Sequence, residues 1–185
     1  MKTPLRLLLI APAFAGLAAC SQDEPPATVA TDANRLAFND FENVLGWGDL
    51  NTSNITNERA HSGKYSVKVG PDNEYGTGYS RELGLMSPHK PSQLTVSAWV
   101  WVPDRTATAS LVVTLNRSAS DETKVFYSRI ELLQEIKHFQ EWEHISKTFT
   151  LPDTVAVTNQ FKFYLWRNGS PQNVYVDDME IRRDR

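Results

Sequence analysis

Apolar and polar residues alternate over most of the chain beyond about residue 36. In residues 94–102, LTVSAWVWV, the even positions are apolar, whereas the odd positions hold Thr95, Ser97, Trp99 and Trp101. Successive side chains of a strand point to opposite faces, so the even positions are predicted to face a core and the two indoles to face away from it. We predict eight further strands with similar composition: Arg35–Phe41, Lys64–Val69, Gly78–Leu83, Ser110–Asn116, Lys124–Leu132, Ile145–Leu151, Phe161–Trp166 and Val174–Arg182.

These segments are rich in β-branched and aromatic residues and are bounded by Gly, Pro, Asn and Asp. Strands at this spacing predict an all-β sandwich of two antiparallel sheets. Residues 130–144 are ambiguous, because four of their apolar side chains also fit one face of a helix. We predict that a strand ends near Leu133, that a loop or single helical turn follows, and that the next strand starts near Trp142.

The first 20 residues have a different pattern. Lys2 and Arg6 accompany an apolar run, Leu7–Phe14, that is too short to cross a bilayer, and small residues then lead to Cys20. This order is typical of a secretory signal. Residues 17–20, LAAC, resemble the lipobox of bacterial lipoproteins, in which the cysteine is diacylated and becomes the mature N-terminus. The alternative is an ordinary signal peptide, but Cys20 is the only cysteine in the chain and lipidation would account for it.

The lipoprotein resemblance implies an exported chain that is tethered to a membrane by its N-terminal lipid. Ser21, rather than Asp, follows the cysteine and resembles the pattern of lipoproteins sent to the outer membrane of Gram-negative cells. We therefore divide the chain into a signal peptide at residues 1–19, a lipidated and flexible polar tether at 20–35, and a folded domain at 36–185.

The charge balance is mildly acidic. The chain has 19 Lys and Arg and 22 Asp and Glu, with a formal net charge of −3. The predicted signal removes two basic residues and no acidic ones, so the mature chain is more acidic still. This balance argues against a nucleic-acid partner, which requires a basic surface.

Several motifs occur in an order that resembles a known family. Residues 38–42, FNDFE, precede Gly46-Trp47; residues 60–69 are AHSGKYSVKV; and residues 174–181 are VYVDDMEI. This order is similar to that of the galactose-binding-like β-sandwich, especially the carbohydrate-binding modules related to families 4, 9 and 22. The resemblance covers nearly all of the domain and implies a jelly-roll sandwich that binds a polysaccharide or oligosaccharide. The fold alone hosts many functions, so the ligand needs its own argument.

The same resemblance implies a structural calcium ion near the edge of the sandwich. The matching ligands are the Glu42 carboxylate, the Lys64 carbonyl oxygen and the Asp177 carboxylate, with Asp40 and Asp178 as additional candidates. Hard oxygen ligands of this kind suit calcium. The alternative is that these acidic residues are ordinary turn and strand-edge residues.

Aromatic residues on non-core faces are candidate sugar contacts, because flat rings stack on the C–H faces of pyranoses while polar groups bind the hydroxyls. Related modules use this arrangement on their concave sheet. We predict carbohydrate binding by Trp99, Trp101, Tyr164, Trp166, Arg129 and Lys162. Secondary candidates are Asn116, Gln160 and Arg167, with Tyr75 and Tyr79 at a rim. Alternatively, a loop or residues 134–141 cover Trp99 and Trp101 as a second small core.

The sequence contains no G-x-S-x-G, P-loop or H-E-x-x-H motif, and its four histidines lack zinc-like spacing. We therefore predict no catalytic residues and a non-catalytic, lipid-anchored carbohydrate-binding module of the cell envelope. A second hypothesis is an envelope lipoprotein that uses the same sandwich to hold a protein partner. A third is a polysaccharide lyase or glycoside hydrolase, which would need a deep cleft with a Tyr or His beside an Arg.

Overall fold

The computed structural model describes residues 32–45, 47 and 52–184. The predicted signal peptide, the lipidation site at Cys20 and most of the tether lie outside the described residues. Within these ranges, no helix combines the length and the apolar character needed to cross a bilayer. The first strand begins at Arg35, at the end of the predicted tether.

The regular structure of the described residues consists of strands and two four-residue helices. The helices are α1 Leu83–Met86 and α2 Leu132–Glu135. The strands are β1 Arg35–Asn39, β2 Ile55–Thr56, β3 Ser66–Val69, β4 Tyr79–Glu82, β5 Gln93–Trp101, β6 Ser110–Asn116, β7 Lys124–Glu131, β8 Trp142–Thr150, β9 Gln160–Trp166 and β10 Val174–Arg183. Every strand that the sequence predicts is present; β2 was missed because two residues carry no alternation.

Two antiparallel sheets form the sandwich. The first sheet has the order β2-β3-β10-β5-β8, and β1 also pairs with β10. The second sheet has the order β4-β9-β6-β7. The prediction of an all-β jelly-roll β-sandwich is therefore confirmed.

The core lies between the sheets and is formed by the alternation seen in the sequence. The β5 residues Val96 and Ala98 are fully buried, as are Phe161 and Phe163 of β9. Burying a large apolar side chain contributes about 1.5–3 kcal/mol, so these facing rows account for much of the stability. The same alternation leaves the intervening residues of each strand on the outer face of its sheet.

The ambiguous segment takes the predicted form. After β7, Leu132 begins the single turn α2, and its backbone N–H donates to the Ala109 carbonyl at 3.2 Å. The Leu132 side chain is buried, so the turn is fixed by packing. The next strand, β8, starts at Trp142.

Strand β10 contains an irregularity at the paired aspartates. Its pairing register with β5 shifts between Asp177 and Glu180, and Asp178 has a φ of +47°. Before the shift β10 pairs with β3, and after it β10 pairs with β1. A bulge of this kind redirects side chains, which is how both aspartates reach the same neighbouring loop.

Candidate functional site

A groove runs across the outer face of the second sheet and has a volume of about 780 Å³. Its floor follows β9, where Gln160, Lys162 and Tyr164 alternate with the core residues Phe161 and Phe163. The full lining, which defines the groove below, is Tyr75, Gly76, Gly78, Tyr79, Ser80, Thr114, Asn116, Glu122, Lys124, Gln160, Lys162 and Tyr164.

Gly78 lets β4 approach the floor closely. A Cβ atom at this position would lie 2.5 Å from the Cβ of Tyr164 and 2.8 Å from the carbonyl oxygen of Phe163. Both contacts are shorter than van der Waals packing allows, so a larger residue would push the edge strand away from β9. The Gly-rich segment at residues 75–79 thus shapes the wall of the groove.

Tyr164 is the central aromatic residue of the groove. Its ring meets the ring of Tyr75 edge to face, with centroids 5.9 Å apart, and Tyr75 is 55% exposed at the rim. Burial raises the pKa of Tyr164 to about 12. Tyr79 differs from the expectation for a rim residue: it is 4% exposed and packs against Trp47 and Phe161 in the core.

Polar side chains converge on the floor beside Tyr164. The Gln160 Nε2 atom donates to the Ser80 hydroxyl at 2.9 Å, which orients the amide. Asn116 is 4% exposed, and its Oδ1 atom has no hydrogen-bond partner among the described residues. A buried amide oxygen without a partner is costly, and it is the kind of acceptor that a ligand hydroxyl satisfies.

Charged residues lie on the side of the groove nearest β7. Lys162 Nζ donates to Glu122 Oε1 at 2.9 Å, and Lys124 Nζ lies 5.0 Å from the ring centroid of Tyr127. Sequence reasoning identified Lys162 but missed Glu122 and Lys124. Glu122 precedes β7 and Lys124 is its first residue, so neither carries a local signal that it borders the groove.

Trp166 and Arg129 belong to the same sheet but are not part of the groove lining. Trp166 lies at the end of β9, where its Nε1–H donates to Glu74 Oε1 at 2.7 Å. Arg129 pairs with Glu131 at 2.5 Å on β7. Arg167, a secondary candidate, pairs with Glu74 at 2.6 Å.

Trp99 and Trp101 lie on the outer face of the first sheet, on the opposite side of the sandwich from Tyr164. The His61 ring stacks on Trp99 with centroids 3.8 Å apart and an interplanar angle of 12°. The Arg59 guanidinium lies 3.8 Å from the ring centroid of Trp101, which is 8% exposed. The six predicted sugar-binding residues therefore do not form one surface, and loop residues His61 and Arg59 lie over the two tryptophans.

The predicted calcium ligands lie around the loop at residues 61–65. Glu42 Oε1 accepts the backbone N–H groups of Lys64 and Tyr65 at 2.6 and 2.8 Å. The Glu42 carboxyl fills the space next to Gly63, where a Cβ atom would lie 2.5 Å from it. Gly63 has a φ of +56°, so the turn depends on a glycine on both grounds.

Asp177 is fully buried, and its carboxylate accepts backbone N–H groups from His61 at 2.8 Å, Ser62 at 3.1 Å and Asp178 at 2.8 Å. Burial raises its pKa to about 6, against the effect of these hydrogen bonds. None of the ion pairs among the described residues supplies it with a Lys or Arg partner. Carboxylate and carbonyl oxygens are the ligand type that calcium takes, although backbone N–H groups already contact the Glu42 and Asp177 oxygens named above.

Another group of metal-ligand side chains, His138, Glu141 and Glu143, brings its ligand atoms within 4.8 Å of one another. Glu143 accepts the backbone N–H groups of Lys137 and His138, so it already holds the turn before β8. His138 and Glu141 are exposed. These contacts explain why the three side chains lie together: Glu143 stabilises the turn before β8.

Solved structures share this fold. The CBM22-1 xylan-binding domain from Paenibacillus barcinonensis Xyn10C matches with a TM-score of 0.53 and 19% identity, over 81% of this chain and 94% of that one. The C-terminal family 22 carbohydrate binding module of Clostridium thermocellum Xyn10B matches with a TM-score of 0.51 and 13% identity, over 82% and 95%. The CBM22-1–GH10 modules of Clostridium thermocellum Xyn10B, complexed with xylohexaose, match with a TM-score of 0.53 and 16% identity, over 82% of this chain and 29% of that one.

At these identities, the structural likeness establishes the fold. No curated protein matches the sequence. A family described as carbohydrate binding domain matches residues 33–172, which is most of the chain and includes the floor of the groove. The chain therefore belongs to this family of carbohydrate binding domains.

Proposed function

We propose that the groove binds a single chain of a β-1,4-linked polysaccharide, with xylan as the leading candidate. The observation that carries this proposal is the position of Tyr164, an aromatic ring on the floor of an open groove with polar groups on both sides. The xylan-binding modules that share the fold support the same ligand class.

Aromatic and polar residues of the groove would make different contacts with the glycan. The rings of Tyr164 and Tyr75 offer stacking surface to the C–H faces of sugar rings. The Asn116 oxygen accepts a hydrogen bond from a hydroxyl, and Gln160 and Ser80 offer further polar contacts. An open groove admits an internal segment of a long chain, which suits a polymer better than a small free sugar.

The groove favours a glycan over a protein partner. A protein-docking surface would be an apolar patch without convergent polar groups, whereas this groove has amide, hydroxyl and ammonium groups directed at one floor. Its lining residues also include no His or Arg to stand beside a tyrosine as a lyase would require. We therefore propose a non-catalytic role.

The main test uses the full chain, purified in a detergent without a sugar headgroup, and affinity electrophoresis through gels containing xylan, glucomannan or β-glucan. We expect xylan to retard the protein and Tyr164→Ala to bind about tenfold more weakly, since one stacking residue contributes roughly 1–2 kcal/mol. Tyr65→Ala is the matched control, because Tyr65 is exposed and lies outside the groove. Folded protein that none of the polysaccharides retards would contradict the proposal.

We also propose a structural calcium ion held by Glu42, the Lys64 carbonyl and Asp177. Binding to the folded state alone would stabilise it by about 2.7 kcal/mol at a calcium concentration 100 times the dissociation constant. We expect calcium to raise the melting temperature, chelator to reverse the rise, and Asp177→Asn to remove the response. A melting temperature that is the same in calcium and in chelator would exclude the ion.

Finally, we propose that lipid on Cys20 attaches the chain to the outer membrane. The support is the sequence LAAC at residues 17–20 and the serine that follows it. Labelled palmitate should enter the wild-type chain and not Cys20→Ala, and the wild type should fractionate with outer membranes. Absence of label from the wild type would reject the lipid anchor.

A further inference from the structure

The groove contains two ammonium groups and one carboxylate. The charged residues of its lining are Lys162, Lys124 and Glu122. Lys162 pairs with Glu122, whereas Lys124 contacts the ring of Tyr127 and forms no ion pair among the described residues. The groove is therefore locally positive, although the whole chain has a net charge of −3.

Glu122 is well placed to be exchanged for another carboxylate. Its side chain is 76% exposed, whereas that of Lys162 on the floor is 29% exposed. The hydrogen bond from Lys162, together with the positive charges of Lys162 and Lys124, holds the pKa of Glu122 below its usual range. Both ammonium groups therefore act on one carboxylate, which sits at the end of a flexible and mostly solvated side chain.

An exposed ion pair is weak, because solvent screening removes most of its Coulomb energy and ordering two long side chains costs entropy. Little is lost when Glu122 swings away from Lys162. A ligand carboxylate that takes its place would meet Lys162 on the floor and Lys124 at the side, in a groove that the ligand itself shields from water.

We propose that the groove accepts a glycan that carries carboxylate groups, such as uronic acid branches, and that Glu122 occupies the anion position until the ligand replaces it. This inference rests on the proposed function and specifies that the glycan ligand is acidic. In this inference, Lys162 and Lys124 bind the ligand carboxylate, and the Glu122 carboxylate competes with it for the two ammonium groups.

The test is isothermal titration of the full chain with three oligosaccharides on one xylose backbone. The first carries a glucuronic acid branch, the second is its carboxyl-reduced form, and the third is unbranched. We expect the acidic form to bind at least about threefold more tightly than the reduced form in low salt, and the difference to shrink as salt screens the charges. Equal binding of the acidic and reduced forms would overturn the inference and leave the proposed function standing. Binding of none of the three would count against both.

Three substitutions test whether Glu122 competes with the ligand carboxylate or binds the sugar directly. Glu122→Gln should tighten binding of the acidic oligosaccharide more than that of the reduced form, because it removes the competing anion. Lys124→Gln should weaken the acidic form about threefold, in the range of exposed charge pairs. Lys137→Gln is the control, because Lys137 is exposed and outside the groove. If Glu122→Gln weakens binding of both forms alike, Glu122 is a direct sugar ligand and the inference is wrong.

Discussion

The outer face of the first sheet carries Trp99 and Trp101, and the outer face of the second carries Tyr164 and Trp166. On the first sheet, His61 and Arg59 lie directly over the two indoles. On the second, the ring of Tyr164 borders an open groove. Aromatic residues outside the core are therefore covered on the first sheet and border an open groove on the second. The difference is that a loop containing Arg59 and His61 packs on the first sheet.

The covering of the first sheet involves a network of contacts. Arg59 also lies 5.8 Å from the ring centroid of Tyr175, whose hydroxyl donates to Glu58 Oε2 at 2.7 Å. Glu58 in turn pairs with Lys68 at 2.5 Å. These contacts hold the loop before β3 against the sheet, so this face resembles a small second core.

Among the substitutions that test this difference between the two faces, Trp101→Ala should have the largest effect on stability. Removing a nearly buried indole should lower the free energy of unfolding by about 3–5 kcal/mol, because it leaves a cavity under Arg59. Affinity for xylan should stay within about twofold of wild type at a temperature where the variant is folded. Denaturant unfolding and affinity electrophoresis measure the two quantities. A stable variant that no longer binds would place the sugar site on the first sheet instead.

Alternation made the strands predictable from the sequence, because the signal lies within each strand. The core faces of β5 and β9 follow from residue spacing alone, and so do the outward positions of Trp99 and Tyr164. The short turn α2 could also be predicted from the sequence, because the alternation of apolar and polar residues is interrupted there.

Which aromatic face remains open was not predictable, because that depends on contacts between residues far apart in the chain. His61 reaches Trp99 only because the bulge at Asp177 and Asp178 fastens its loop to β10. Glu122 and Lys124 were missed for a similar reason, since Glu122 reaches Lys162 and both residues border the groove only after β6, β7 and β9 pair. Sequence spacing has no access to such pairings.

A smaller effect is expected from Arg59→Ala, which would uncover Trp101 without removing it. A cation over an indole contributes about 0.5–2 kcal/mol, so unfolding should become easier by about 1 kcal/mol. Tryptophan emission should shift to longer wavelength as water reaches the ring. Lys147→Ala, at an exposed residue of the same sheet with a weak ion pair of 3.9 Å, is the control. An unchanged spectrum and stability would mean that Arg59 does not cover the indole in solution.

The smallest effect concerns the open face and its pH dependence. The pKa of Tyr164 is raised to about 12 in the folded protein, against about 10 for an unfolded tyrosine, because burial disfavours the phenolate. The unfolded chain therefore loses this proton first, and stability falls as pH rises from about 10 toward 12. Tyr164→Phe should lose less stability over that interval, by no more than about 1 kcal/mol because the residue is partly solvated. The measurement is denaturant unfolding of both proteins at pH 9 and pH 11. Identical losses would mean that Tyr164 is more solvated than a residue on the floor of a groove, and would weaken its assignment as the stacking ring.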